Sequence, residues 1–206
     1  MATSHSDYDL VVVASEQAVP WRHEVRSSEL DQVVCTVQAL ADTSVQWQRY
    51  AFRGARILLD RLDGGIADLV ERQATPTRDE AIEWARSGLD AYVNQLYRAV
   101  KSRRDGSPAA AYLDEVESVP WLLSTVFALH GRLRPYNKYL DWELATYPLS
   151  PFWTTGLQSD RVLANSLRLF PAVANLAGEQ RHGDVLAAWG TDIDLIRAAA
   201  SRPGDS

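Results

Sequence analysis

The sequence predicts an α+β protein: a small sheet-bearing portion over residues 1–75, then a helical domain over residues 76–200 and a short disordered tail over 201–206. Three observations predict this. Runs rich in β-branched residues, Leu10-Val11-Val12-Val13 and Gln32-Val33-Val34-Cys35-Thr36-Val37, lie before residue 75. After it, apolar residues recur at helical spacing. The change of style coincides with Thr77 and Glu80, a pair spaced for a capping box in which each side chain satisfies an orphan backbone N–H.

The elements follow in order. Ala55 to Leu59 is a further apolar run, closed by Asp60 and the turn-forming Asp63-Gly64-Gly65. Behind Thr77, the positions Ile82, Ala85, Leu89, Val93, Leu96 and Val100 make one apolar helical face. The linker from Arg103 to Pro108 ends that helix and starts the next. Ser118 is placed to cap a helix through Trp121 and Leu129, apolar nearly all round and so expected at the buried centre. Pro135 suits a first helical turn, opening a helix from Tyr136 to about Ala145 that ends before Pro148. A loop through Pro151 and Gly156 leads to a helix from about Asp160, interrupted or restarted at Pro171. Val185, Trp189, Ile193 and Ile196 mark a last amphipathic helix, and Ser201–Ser206 reads as the disordered tail.

Composition narrows the function classes. The 206 residues carry a net charge of −6, which argues against a broad nucleic-acid surface. The single cysteine, Cys35, fits a reducing compartment and reads as a buried, inert thiol. No run is long and apolar enough to span a membrane and the N-terminus has no signal-peptide pattern, so the expected location is cytoplasmic. The histidines, His5, His23, His130 and His182, have no metal-ligand spacing, and His130 reads as a packed or capping residue. The tryptophans read as core.

The loudest chemistry is Ser6-Asp7-Tyr8-Asp9-Leu10. On a strand, side chains two apart share a face, roughly 6.5–7 Å apart. Asp7 and Asp9 would then suit divalent ions, which need several oxygen ligands. Two solvated acids at a strand entrance is the competing reading.

Asp-Tyr-Asp-Leu followed by valines resembles the paired-carboxylate motif of the polymerase-β-like nucleotidyltransferases, the group that includes aminoglycoside and lincosamide nucleotidyltransferases. Two further stretches resemble its bacterial members: Trp47 to Arg61 leading into Gly64-Gly65-Ile66, and Arg134-Pro135-Tyr136-Asn137-Lys138-Tyr139-Leu140-Asp141-Trp142-Glu143-Leu144. The resemblance implies a small mixed sheet with helices followed by a helical bundle. It implies two Mg²⁺ held by the paired carboxylates, with ATP or another NTP giving up a nucleoside monophosphate to a hydroxyl acceptor. Asp7 and Asp9 take the metal and catalytic role by that resemblance. The third carboxylate is Asp31, opening its strand in Glu29-Leu30-Asp31, with Asp60 as the second candidate and a structural role for Asp60 as its alternative.

Lys138 at a helix start would offer a cation to triphosphate oxygens, and Asn137 a hydrogen bond to nucleotide or acceptor. A capped helix start with aromatic packing is their competing reading. Asp141 and Glu143 are candidate general bases. The family's phosphate-gripping Gly-Ser pair has no place among the six residues before Asp7. Two expectations follow: a shortened enzyme, or a non-catalytic relative that binds a protein partner, as antitoxin-type relatives do. An exposed sheet edge would favour a homodimer. A plain helical interaction domain is a third reading.

Overall fold

The computed structural model describes residues 6–18 and 24–201. It is an α+β protein whose chain divides into two compact units, Met1–Thr75 and Pro76–Ser206.

In the first unit, strands β1 (Tyr8–Ala14), β2 (Val25–Arg26) and β3 (Leu30–Thr36) form a mixed sheet in the order β1-β3-β2. β1 and β3 run parallel with Tyr8 opposite Leu30 and Ala14 opposite Thr36, and β2 is antiparallel to β3. β3 leads directly into α1 (Val37–Ala41), because Thr36 turns from the ladder to cap it, its hydroxyl accepting from the Ala39 N–H at 3.0 Å. Helix α2 (Gln46–Arg49) and a 3₁₀ turn, Tyr50–Phe52, follow.

The apolar run Ala55–Leu59 forms no strand; it is irregular, and Leu58 and Leu59 point into solvent. Asp60 then organises the chain behind it. One carboxylate oxygen accepts from the Leu62 N–H at 2.8 Å, the other from Ile66 at 3.0 Å and Ala67 at 3.2 Å. These last two are orphan donors of α3 (Gly65–Ala74), so Asp60 holds that helix start; the bond from the Leu62 N–H first, then those from α3, keep its carboxyl below its ordinary pKa. Gly64, at φ 97, supplies the left-handed turn.

In the second unit, α4 (Arg78–Arg104) opens on the Thr77–Glu80 capping box and buries Ala85, Leu89, Val93 and Leu96 as the periodicity requires. Ile82, at the solvent end of that stripe, remains partly exposed. Helix α5 (Pro108–Leu129) is longer than expected. Ser118 does not cap it but lies buried within it, donating to Glu115 O at 2.6 Å and bonded to the Ser166 hydroxyl. Pro108 takes the first turn and Pro120 sits inside the helix. The apolar stretch Leu122–Leu129 is the buried centre of the unit, packed with Tyr92, Phe170 and Val173.

The chain leaves α5 at His130, whose Nδ1 lies 2.8 Å from Val126 O at the helix end, a capping role. A 3₁₀ turn, Asn137–Tyr139, precedes α6 (Leu140–Thr146), so the helix expected at Tyr136 begins one tight turn later. Pro151–Gly156, expected as a loop, is the short helix α7, with Pro151 at its first turn. Helix α8 (Ser159–Glu179) runs through Pro171; its departure from helical geometry is at Asn165, φ −128, whose side chain donates to Arg161 O at 2.9 Å. The expected last helix is two, α9 (Gly183–Ala187) and α10 (Asp192–Ala200), separated by a turn with Gly190 at φ 54. Among the described residues no helix is long and apolar enough to cross a membrane. The expected disordered tail lies, from Arg202 on, outside the described residues.

Candidate functional site

The approach to β3 is set by one serine. The Ser27 hydroxyl accepts from Glu29 N–H at 3.1 Å and Leu30 N–H at 3.0 Å, a local turn that starts the strand immediately before Asp31. Glu29 O in turn accepts from the Tyr8 N–H at 2.8 Å, which pins the start of β1 beside the start of β3. Register follows: Asp9 pairs with Asp31 across the parallel ladder, and Arg26 pairs with Asp31 across the antiparallel one.

Directly opposed residues project to the same face of a sheet. Arg26, Asp31 and Asp9 therefore form a row across three strands, cation, acid, acid. The same face carries Val11 with Val33, both exposed, and then Val13 with Cys35, half-buried. Burial raises the Cys35 thiol above its ordinary pKa, which leaves it protonated and unreactive at neutral pH.

Asp7 lies just before the first strand residue and is exposed, outside the ladder that brings Asp9 and Asp31 together. Neighbouring strands stand about 4.8 Å apart, so the Asp9 and Asp31 carboxylates face each other across the ladder and their like charges favour a cation beside them. Arg26 supplies one cation, its Nε 3.5 Å from Asp31 Oδ1. That oxygen is otherwise buried without a hydrogen-bond partner. Carboxylate oxygens are the hard donor type that Mg²⁺ takes, and here the Arg26 guanidinium stands beside Asp31 Oδ1. Among the described residues, no three His, Cys, Asp or Glu converge as a metal-holding group.

Asn137 and Lys138 belong to the helical unit. Both are exposed on the 3₁₀ turn ahead of α6; Asn137 Oδ1 accepts from Arg134 Nη2 at 2.7 Å, and Lys138 Nζ lies 5.6 Å from the Tyr139 ring centroid. The two acids farther along are committed elsewhere. Glu143 is fully buried and paired with Arg132, and Asp141 Oδ1 accepts from the Ser159 N–H at 2.9 Å at the start of α8. A buried, paired carboxylate is a poor general base, and a helix cap is a sufficient account of Asp141.

Two residues that sequence reasoning passed over are Arg26 and Arg134. Arg26 was invisible because a two-residue strand has no periodicity to detect. Of the histidines, His5 and His23 lie outside the described residues. His182 is buried, lowered in pKa chiefly by desolvation and then by Arg86. Comparison of the chain with protein-family models, curated proteins and solved structures found no match.

Proposed function

We propose that this protein is a nucleotidyltransferase-type protein that uses Asp9 and Asp31, with Asp7 beside them, to bring Mg²⁺ and an NTP to a hydroxyl acceptor. The observation that carries the reading is the register pairing of Asp9 with Asp31 on one face of a parallel ladder. Two neighbouring carboxylates repel each other, and a divalent cation carried by a nucleotide triphosphate would relieve that repulsion.

In the reaction, the acceptor oxygen bonds to the α-phosphorus as the bond to the β-phosphate oxygen breaks. Pyrophosphate leaves and the hydroxyl proton passes to solvent or a basic group. Bound Mg²⁺ would stabilise charge on the phosphate oxygens and acidify the hydroxyl. The sheet unit's own residues hold and orient: Asp9 and Asp31 would fix the metal-bearing end of the triphosphate.

A second reading is favoured by Arg26. Its guanidinium already partners Asp31, as a chain without a metal would need, and this fits a non-catalytic relative that works by binding a protein partner or a second copy of itself. Calorimetric titration with a non-hydrolysable ATP analogue and Mg²⁺ separates the two. Metal-dependent binding by the wild type, lost in Asp9→Asn/Asp31→Asn with unchanged circular dichroism, is the expected result. A folded wild type that binds no nucleotide overturns the transferase reading in favour of the second.

A further inference from the structure

Helix α9 is a short strap across the helical unit. It packs on α4 and α8, with a left-handed turn on either side, Arg181 at φ 66 before it and Gly190 at φ 54 after it. A non-glycine residue at positive φ is strained, and the turn keeps that shape only while the strap stays docked. A helix this short does not hold itself together in water. Two ties run along α4: Asp184 accepts from Arg86 at 2.8 and 2.6 Å, and Trp189 Nε1 donates to Asp90 Oδ1 at 2.9 Å beside the Tyr97 ring. Between them Leu186 is buried. Both ties are exposed, where such bonds contribute little. By contrast, α10 is anchored in the core by Ile193 and Ile196. Residues 182–190 can therefore lift from α4 while α8 and α10 stay packed, a local opening at the low-stability end of the molecule.

His182 stands at the hinge. Its backbone N–H donates to Ala177 O at 2.8 Å at the end of α8, and its carbonyl accepts from the Val185 N–H at 3.2 Å in α9. The ring is buried, and its Nδ1 has no hydrogen-bond partner. The charged groups that act on it are Arg86 of α4 and Asp184 of α9; α8 and α10 bring none among the described residues. Protonation of the docked ring would leave an N–H without an acceptor and set an imidazolium beside a guanidinium. Asp184 opposes this, but it is already committed twice to Arg86. Burial first, and then Arg86, hold the ring below the ordinary histidine pKa of 6.5. When the strap lifts, water solvates the imidazolium and both penalties vanish. The open state therefore takes the proton more readily, so docking is strongest above pH 6.5 and weakens as pH falls below it.

We propose that residues 182–190 form an acid-released strap, in which protonation of His182 shifts α9 off α4 and uncovers the side of α4 between Arg86 and Tyr97. The device lies wholly within the helical unit and stands independently of the nucleotidyl-transfer reading.

The test is segment-resolved hydrogen exchange of the full chain at about pH 7.5 and about pH 5.5, expressed as protection so that the intrinsic pH dependence of exchange is removed. Protection across 183–190 should fall about threefold or more at the lower pH, while α5 keeps its own. In His182→Gln, whose side chain does not titrate, protection of the strap should be the same at both values. A wild-type strap equally protected at the two pH values overturns the proposal, and so does a folded His182→Gln chain that still loses protection in acid. Should that variant lose helical signal, the wild-type His182 ring titration by NMR decides. A midpoint below 6.5 that coincides with the loss of protection upholds the strap, and a midpoint at or above 6.5 overturns it.

Discussion

The two units of this chain are held together by different chemistry. In the helical unit most fully buried positions are Leu, Val, Phe, Ile and Ala from α4, α5, α8 and α10, with Tyr92 donating to Ser166 O at 2.6 Å as a polar pin and Ser118, Thr125 and Glu143 buried among them. In the sheet unit two polar side chains, Arg49 and Gln73, are buried alongside Leu40, Tyr50 and Leu69. Arg49, 1% exposed, donates from Nε to Gln73 O at 3.0 Å and from Nη2 to Arg72 O at 2.8 Å and Thr75 O at 3.0 Å. Gln73 donates to Leu40 O and Asp42 O, both at 2.7 Å. Arg49 thus satisfies the last carbonyls of α3, and Gln73 those of α1. Meanwhile Tyr8, Val11 and Val33 of the sheet are exposed. An apolar core tolerates exchange of similar side chains, whereas a hub of directed bonds depends on the identity of each donor.

The largest effect expected of a single change is in the helical unit. Phe127→Ala removes a side chain with no exposed surface, under the Arg132 guanidinium 5.4 Å from its ring centroid. A loss of about 3–5 kcal/mol in chemical denaturation is expected; a loss below ~1 kcal/mol would show that this core is not close-packed. Next comes Arg49→Ala, which leaves three carbonyls short of a donor and should cost about 2–4 kcal/mol. Hydrogen exchange resolved by segment should place the new opening in α3. Unchanged protection there would mean the hub is dispensable and the comparison wrong.

The smallest effect is at the surface. Asp184 is bonded to Arg86 at 2.8 and 2.6 Å, and this hydrogen bond holds its carboxyl at a pKa of about 2, below its ordinary 3.8. A depressed acid stabilises the fold above its unfolded pKa and loses that contribution as pH falls through the folded value. Stability should therefore dip slightly between about pH 4 and pH 2. Arg86→Gln should flatten that step; an unaltered acid limb would mean the exposed pair contributes nothing.

How much of this was legible in the sequence depends on the range of the interaction concerned. Thr77 and Glu80 are three residues apart and form their box as spaced. The stripe from Ala85 to Leu96 is buried as its periodicity demands. The strands at Asp9 and Asp31 lie where the β-branched runs put them. What failed was of two kinds. Pro151 and Pro171 were read as breaks, but a proline at a first turn fits the helix, and α8 continues past Pro171 in a helix packed on α5. Ser118 resembled a cap, yet the Pro108 start carried the helix past it.

The sequence by itself determined the capped start and apolar stripe of α4, the buried run of α5, the division of style near Thr75, and the two carboxylate-bearing strands. Each depends on residues within a few positions of one another, where period and capping chemistry are decisive. Only the tertiary structure decided that Arg26, Asp31 and Asp9 stand in one row, that Glu143 is spent on Arg132, and that Arg49 is buried. Those are matters of strand register and of which charges meet across elements, and a charged side chain carries no mark in sequence of the partner that folding will bring to it.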